Sequence, residues 1–401
     1  MARPPKIGGI FCFMEEIPIF LATGNSKKAD RVIGLGINTT SPSFDESGIR
    51  IGVDRNLGLQ YPVAISRMKL EEQLRREGNN RHIIIVSDSV IAVEGNNGLI
   101  PVNRDDDPNF ITQINSELKN GQPIVFLGAA SFGNYNGSPY TLLTYFKINP
   151  GPNKRLQIPI DIDRLTDDYP RFEFGIVDGA GKFIPEGENN FTLGRPYISG
   201  LTPHFIDLTK EYGNIFPLID LLQGQIARFP FNTIVFYELI NQGLNYDKIV
   251  ANWQNIFQEN GGNCSFHSLY FAQMVKQRGF EPKIALFPSQ NPDHDQGHSA
   301  VMVGNFLFDP GLSLPYPIAW GLQPIGFING KKAFLNQDGL TVNKNGKDIL
   351  FPARELINEE EYLGRLSGIL SDLHSIRTVA KIDYHDRDGK VIERKSIPLI
   401  Q

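Results

Sequence analysis

Gly261-Gly262-Asn263-Cys264-Ser265-Phe266-His267-Ser268-Leu269-Tyr270-Phe271-Ala272-Gln273-Met274-Val275 reads as a glycine turn running into a helix that starts on a cysteine. Phe266, Leu269, Tyr270 and Met274 recur at the three-to-four spacing of an amphipathic helix. The glycines permit a sharp turn that leaves the sulfur uncovered. The unpaired N–H groups and positive dipole end of a helix start favour a thiolate over a thiol. The chain has two cysteines, and the other, Cys12, lies in the apolar stretch Ile10-Phe11-Cys12-Phe13-Met14.

Downstream, Lys283–Phe287, His298–Val303 and Phe306–Asp309 read as three strands. Only Gly304-Asn305 separates the last two, which predicts a two-residue hairpin. In that register Asp309 stands opposite Ala300, and His298 is its diagonal neighbour on the same face. A histidine and an orienting carboxylate therefore meet at one end of the ladder.

These three residues carry the roles of thiol-based acyl transfer. Cys264 is the candidate nucleophile, since an imidazolium and a helix start lower a thiol pKa from about 8.5 to roughly 3.5–7.5. His298 is the candidate base, and Asp309 fixes its tautomer. Taken singly, each has a plainer reading: a cysteine as a small core hydrophobe, a histidine and an aspartate as a strand-end pair. His267 and His294 are rival bases. His267 shares a helix face with Cys264 but has no carboxylate spaced to orient it, and His294 sits in the polar loop Ser289–Gly297. That loop has too few ligands at defined spacing for a metal site, so no metal is expected.

The chain at these residues resembles the arylamine N-acetyltransferases, within the broader group of transglutaminase-like and papain-like thiol enzymes. Leu221–Asn232 is similar to the family segment ending in Pro-Phe-Glu-Asn, and Asn260–Cys264 is similar to its Arg-Gly-Gly-x-Cys motif. The resemblance spans roughly residues 205–320 and implies an α+β fold with a papain/transglutaminase-like catalytic core of helices plus an antiparallel sheet. It implies substrate contacts at Phe231, Asn263, Gly311 and Leu312. It also implies an acyl-CoA or another acyl thioester as co-substrate, with no permanently bound cofactor. Two family positions read as an ion pair are Asn232 and Asn260 here, a paired replacement that leaves no lone buried charge. The family's Val-Gly-Phe-Gly after the aspartate is Pro310-Gly311-Leu312-Ser313, which puts an aliphatic residue where an aromatic wall is expected. The acceptor expected is therefore a small molecule or peptide-like group, with an acyl-carrier protein as a further partner.

At 401 residues the chain is long enough for two domains, with a β-rich α+β region over 1–200 and a catalytic domain over 201–401. A hydrophobic share of 41% and a net charge of −5 describe a globular protein and argue against a nucleic-acid surface. The apolar run Ile10–Phe20 is broken by Glu15-Glu16 and falls short of the ~20 residues needed to span a membrane. Two cysteines at this length fit a reducing, cytoplasmic setting.

In the first half, strands are predicted at Arg31–Ile37, His82–Val86, Val90–Val93, Pro123–Leu127 and Thr141–Ile148, with a helix at Ser66–Glu77. Gly128–Ser138 reads as a surface loop, since it lacks the Lys-Ser/Thr ending of a phosphate cradle. Arg104-Asp105-Asp106-Asp107 reads as a solvated turn. A helix at Glu359–Ile376 and a hairpin of Val379–Tyr384 with Val391–Ile397 fill the tail. Three functions compete: an acyltransferase, a cysteine peptidase or amidase using the same triad, and a binding protein that kept the fold. The pocket separates the first two, because a transferase excludes water and a peptidase needs an open groove.

Overall fold

Continuous apolar runs in the first half pair into one mixed sheet. The computed structural model describes residues 17–78, 82–95, 98–102, 112, 122–134, 139–149, 171–179, 181–288, 297–322, 332–336, 338–344, 347–352, 355–375 and 379–398. Strands β1 (Ile19–Ala22), β2 (Asn38–Thr40), β3 (Ile83–Gly95), β4 (Gly98–Val102), β5 (Ile124–Gly133), β6 (Tyr140–Asn149), β7 (Arg171–Val177) and β8 (Phe183–Glu188) form it. The order is β2-β1-β3-β5-β6-β7-β8, with β4 paired to β3. β1 runs parallel to both β2 and β3, and β3 to β8 are antiparallel neighbours. Helices α1 (Ser26–Ile33), α2 (Glu46–Gly52) and α3 (Gln60–Glu77) connect the first three strands, with α3 packed on β3, β5 and β6.

Several expectations for this half need correcting. Arg31–Ile37 is not a strand: α1 runs through Ile33, because Asn25 caps it by accepting from the Lys28 N–H, and a turn then leads to β2. The helix expected from Ser66 begins earlier, at Gln60, since Pro62 is tolerated in a first turn. His82–Val86 and Val90–Val93 belong to one long strand, β3. Gly128–Gly133 is not a surface loop but the buried second half of β5. Gly128 is there for close approach, since a Cβ would collide with the backbone of Tyr197 and Gly200. Cys12, Arg104–Asp107 and His294 lie outside the described residues.

The second half opens on α4 (Pro203–Arg228), capped by Thr202 with Pro203 at its first position. There follow β9 (Phe231–Asn232), α5 (Ile234–Asn241), α6 (Tyr246–Ala251), α7 (Trp253–Asn260) and α8 (Cys264–Gln277). An antiparallel sheet comes next: β10 (Lys283–Phe287), β11 (His298–Val303), β12 (Phe306–Phe308), β13 (Ile318–Ala319) and, across β10, β17 (Glu355–Ile357). β14 (Lys332–Asn336), β15 (Gly339–Lys344) and β16 (Lys347–Pro352) make a separate meander. α9 (Glu359–Ser375) and the hairpin β18 (Val379–His385) and β19 (Val391–Pro398) close the described chain. β18 also pairs with β9.

The fold is α+β, and its two halves share a core. Phe132 and Tyr140 of the first sheet pack against Phe205 and Tyr212 of α4, and Tyr140 and Tyr212 both meet Phe306 of β12. The Tyr140 hydroxyl donates to the Pro317 carbonyl at 2.9 Å, which satisfies a polar atom that the aromatic cluster would otherwise strand. No helix among the described residues is long and apolar enough to cross a membrane.

Candidate functional site

Cys264 is the first residue of α8, set there by two local devices. Gly261 adopts a left-handed φ of 70°, and a Cβ on it would run into the Pro230 carbonyl. Asn263 is the N-cap, its carboxamide oxygen accepting from the Phe266 N–H at 3.3 Å. The helix start is held against β9 as well, since Asn232 N–H donates to the Gly262 carbonyl at 2.8 Å. α8 then lies across β11, where Ser268 Oγ donates to the Ser299 carbonyl and Tyr362 of α9 donates to Ser299 Oγ.

The hairpin forms in the expected register, with Val301 opposite Phe308, Met302 opposite Leu307 and Val303 opposite Phe306. His298 opens β11 and Asp309 follows the end of β12, so the two side chains meet: His298 Nε2 lies 2.6 Å from Asp309 Oδ2. Asp309 Oδ1 accepts the Leu312 N–H at 2.9 Å, so the carboxylate is anchored through both oxygens. Cys264 is hydrogen-bonded to His298, and with Nε2 on Asp309 the remaining ring nitrogen is Nδ1. Helix start, strand start and strand end thus converge in one chain of contacts. All three residues are buried.

Electrostatics decide the protonation state. Burial, the largest influence on His298, disfavours its charge, but the Asp309 carboxylate, its hydrogen bond and the bond and charge of Cys264 together raise the imidazole pKa to about 10. At neutral pH the ring is an imidazolium between a carboxylate and the sulfur. Phe287 of β10 and Phe351 of β16 flank it, with ring centroids 6.0 and 5.0 Å away. Phe351 had no signal in the sequence, because it comes from a meander whose position no local pattern encodes.

The other predicted residues are placed as follows. Gly311 lies against Cys264: a Cβ there would be 2.7 Å from the Cys264 Cβ. Leu312 is half-buried beside Asp309. Asn263 spends its carboxamide oxygen on the helix cap. Phe231 stacks on His267, and the Lys381 ammonium sits 5.1 Å over its face. Asn232 and Asn260 do not pair side chain to side chain. Asn232 Nδ2 donates to the Asn260 carbonyl at 2.9 Å, and its Oδ1 accepts from the N–H groups of Ile234 and Val235.

The rival His267 has a different environment. Burial lowers its pKa to about 4, against a raising contribution from the Pro230 carbonyl. The neutral ring donates from Nε2 to that carbonyl at 3.2 Å and accepts at Nδ1 from Gln225 Nε2 at 3.3 Å. It braces α8 against α4 and the loop before β9. Among the described residues no cluster of histidine, cysteine or carboxylate side chains fits a metal ion.

The chain matches no protein-family model, and no curated protein matches it in sequence. Among the solved structures similar to parts of it are two enzymes. One is arylamine N-acetyltransferase C from Bacillus anthracis, at a TM-score of 0.33 and 13% identity, covering 46% of this chain and 85% of that one. The other is a nucleoside-triphosphatase / dITP/XTP pyrophosphatase from Mycobacterium abscessus, at a TM-score of 0.26 and 16% identity, covering 50% of this chain and 97% of that one. At these scores neither carries weight beside the geometry.

Proposed function

We propose that the protein is a thiol acyltransferase that moves an acyl group from a thioester, such as an acyl-CoA, to an amine or hydroxyl acceptor by ping-pong chemistry. The observation that carries this reading is the buried Cys264–His298–Asp309 chain with its imidazolium centre. The Cys264 thiolate attacks the thioester carbonyl, and collapse of the tetrahedral adduct expels the donor thiolate, which takes the proton from His298 Nδ1. The acceptor then attacks the acyl-enzyme while neutral His298 accepts its proton, and Cys264 leaves as thiolate. Asp309 holds the ring through Nε2 and stabilises each return to imidazolium.

Transfer is favoured over hydrolysis because the sulfur is enclosed. Cys264 is 4% exposed, with Gly311 packed on its Cβ, and this shelter of the sulfur from water supports transfer over hydrolysis. Cytoplasmic placement fits a buried thiol that is in no disulfide and whose chemistry requires the reduced state. The test is intact-protein mass spectrometry with a panel of acyl thioesters. A stable mass gain in the native chain, absent from Cys264→Ala and discharged by an added amine, is the expected result. Adducts that persist in Cys264→Ala, or that water discharges as fast as any amine, would overturn transfer through this residue.

A further inference from the structure

His267 takes no part in the chemistry drawn for Cys264, yet it is a buried histidine three residues along the same helix. Its hydrogen bonds tie three segments together. Nε2 donates to the Pro230 carbonyl at 3.2 Å, in the loop between α4 and β9, and Nδ1 accepts from Gln225 Nε2 of α4 at 3.3 Å. The same amide nitrogen donates to the His267 carbonyl at 2.8 Å. Both carbonyls can only accept, so the amide presents its NH₂ to α8 and the ring carries its proton on Nε2. Phe257 of α7 meets the ring edge-on at 4.9 Å and Phe231 stacks on it at 6.3 Å, which fixes its orientation.

The turn before Cys264 is fastened to the same Pro230 carbonyl. Gly262 N–H donates to it at 3.3 Å, and Gly261, at a φ of 70°, passes so close that a Cβ would lie 2.1 Å from that oxygen. One carbonyl thus receives a donor from two residues before the nucleophile and another from three residues after it. Cys264 is held between those two points, and its sulfur meets His298 only if α8 begins where they put it. Packing alone would not call for this arrangement. Gln225 Oε1 is buried with no hydrogen-bond partner, and an apolar side chain at 225 would fill the space without orphaning an acceptor. Breaches of polar satisfaction of this kind occur at functional sites, where geometry is kept at a cost in stability.

We propose that His267 is a positioning residue for Cys264, fixing the Pro230 carbonyl so that the Gly261-Gly262 turn delivers the sulfur to His298. This role, which rests on Cys264 being the nucleophile, belongs to the neutral ring. A second proton, on Nδ1, would face the Gln225 NH₂, and burial lowers the pKa to about 4, so the ring stays neutral at neutral pH.

The test is the rate of Cys264 alkylation by iodoacetamide at neutral pH, which needs no acyl donor, in His267→Phe and His267→Gln. Phenylalanine keeps a ring and loses both hydrogen bonds, whereas glutamine restores a donor to Pro230 through its Nε2. His267→Phe should alkylate at least about tenfold more slowly than the native chain, within the ~100-fold that a misplacement of about 1 Å carries. His267→Gln should recover most of that rate. Circular dichroism and melting show whether each variant is folded at the assay temperature. If His267→Phe does not fold, Gln225→Leu replaces it: the ring loses its tie to α4, and the same slowing is expected. A native or faster rate in the variant that folds, or a glutamine variant as slow as the phenylalanine one, overturns the positioning role. Acyl transfer is judged separately by the thioester panel. A chain that takes no acyl group yet shows the slowing and the rescue loses that reaction and keeps His267 as the residue that positions a reactive thiol. A chain that is acylated while His267→Phe alkylates at full rate keeps the reaction and loses the positioning role.

Discussion

Gly311 touches Cys264 where any side chain would intrude: a Cβ at 311 would stand 2.7 Å from the Cys264 Cβ and 2.8 Å from its Cα. One of these neighbours is helix backbone, so the overlap cannot be relieved by a rotamer change. Gly311→Ala should push the loop after Asp309 away from α8 and lengthen the sulfur–imidazole contact. A displacement of this order costs on the order of 100-fold in rate. Stopped-flow acyl-enzyme formation should show that loss with melting little changed. A full rate in Gly311→Ala would mean that this packing does not set the geometry.

Asp309→Asn keeps a side chain of the same shape, and its carbonyl can still accept the Leu312 N–H. It removes the charge that raises the His298 pKa. Acyl-enzyme formation at neutral pH should fall on the order of 10³-fold or more. The iodoacetamide reactivity of Cys264 should fall with it, and retention of native alkylation by the variant would remove Asp309 from the site.

The two buried histidines give stability opposite pH limbs. The His298 pKa rises from 6.5 to about 10 on folding, so its contribution is fully present below 6.5 and is lost as pH rises through about 10. His267 falls from 6.5 to about 4, so its contribution is present above 6.5 and is lost as pH falls through 6.5 toward 4. From these two groups alone, thermal melts across pH should peak near 6.5, where the two windows meet. Asp309→Asn should flatten the alkaline limb and His267→Gln the acid one, and limbs that respond the other way round would refute both assignments.

Asn232→Ala removes acceptors for two N–H groups at the start of α5 and the donor to Asn260. The expected destabilisation is roughly 2 kcal/mol, a cap plus a lost buried hydrogen bond. Urea denaturation measures it, and the Cys264 alkylation rate of the folded fraction should be nearly native. A slowed alkylation would show that this carboxamide positions the nucleophile as well as the helix.

Leu312 stands where the resemblance expects an aromatic wall, and aromatic stacking contributes roughly 0.5–1.5 kcal/mol per pair beyond area burial. Simple anilines with acetyl-CoA should therefore turn over poorly, and Leu312→Phe should improve them several-fold relative to aliphatic amines. Efficient Cys264-dependent acetylation of arylamines by the native chain would contradict a changed acceptor.

Local pattern alone determined the elements that carry the candidate site. The amphipathic spacing after Gly261-Gly262 located α8, and Gly304-Asn305 set the hairpin register that brings His298 to Asp309. These signals are short-range, a helix period and a two-residue turn, so neighbouring residues suffice to encode them. The same reasoning misread Arg31–Ile37 as a strand and Gly128–Gly133 as a loop. A cap three residues upstream of Lys28 outweighed β-branched propensity in the first case, and a long-range contact with Tyr197 and Gly200 required glycine in a buried strand in the second. Only the tertiary structure decided that Phe287 and Phe351 flank the imidazole and that His267 is held neutral against Pro230. Each of those depends on groups brought together across β-sheet pairings and helix packing, where burial and unlike charge set the chemistry and sequence spacing carries no record of either.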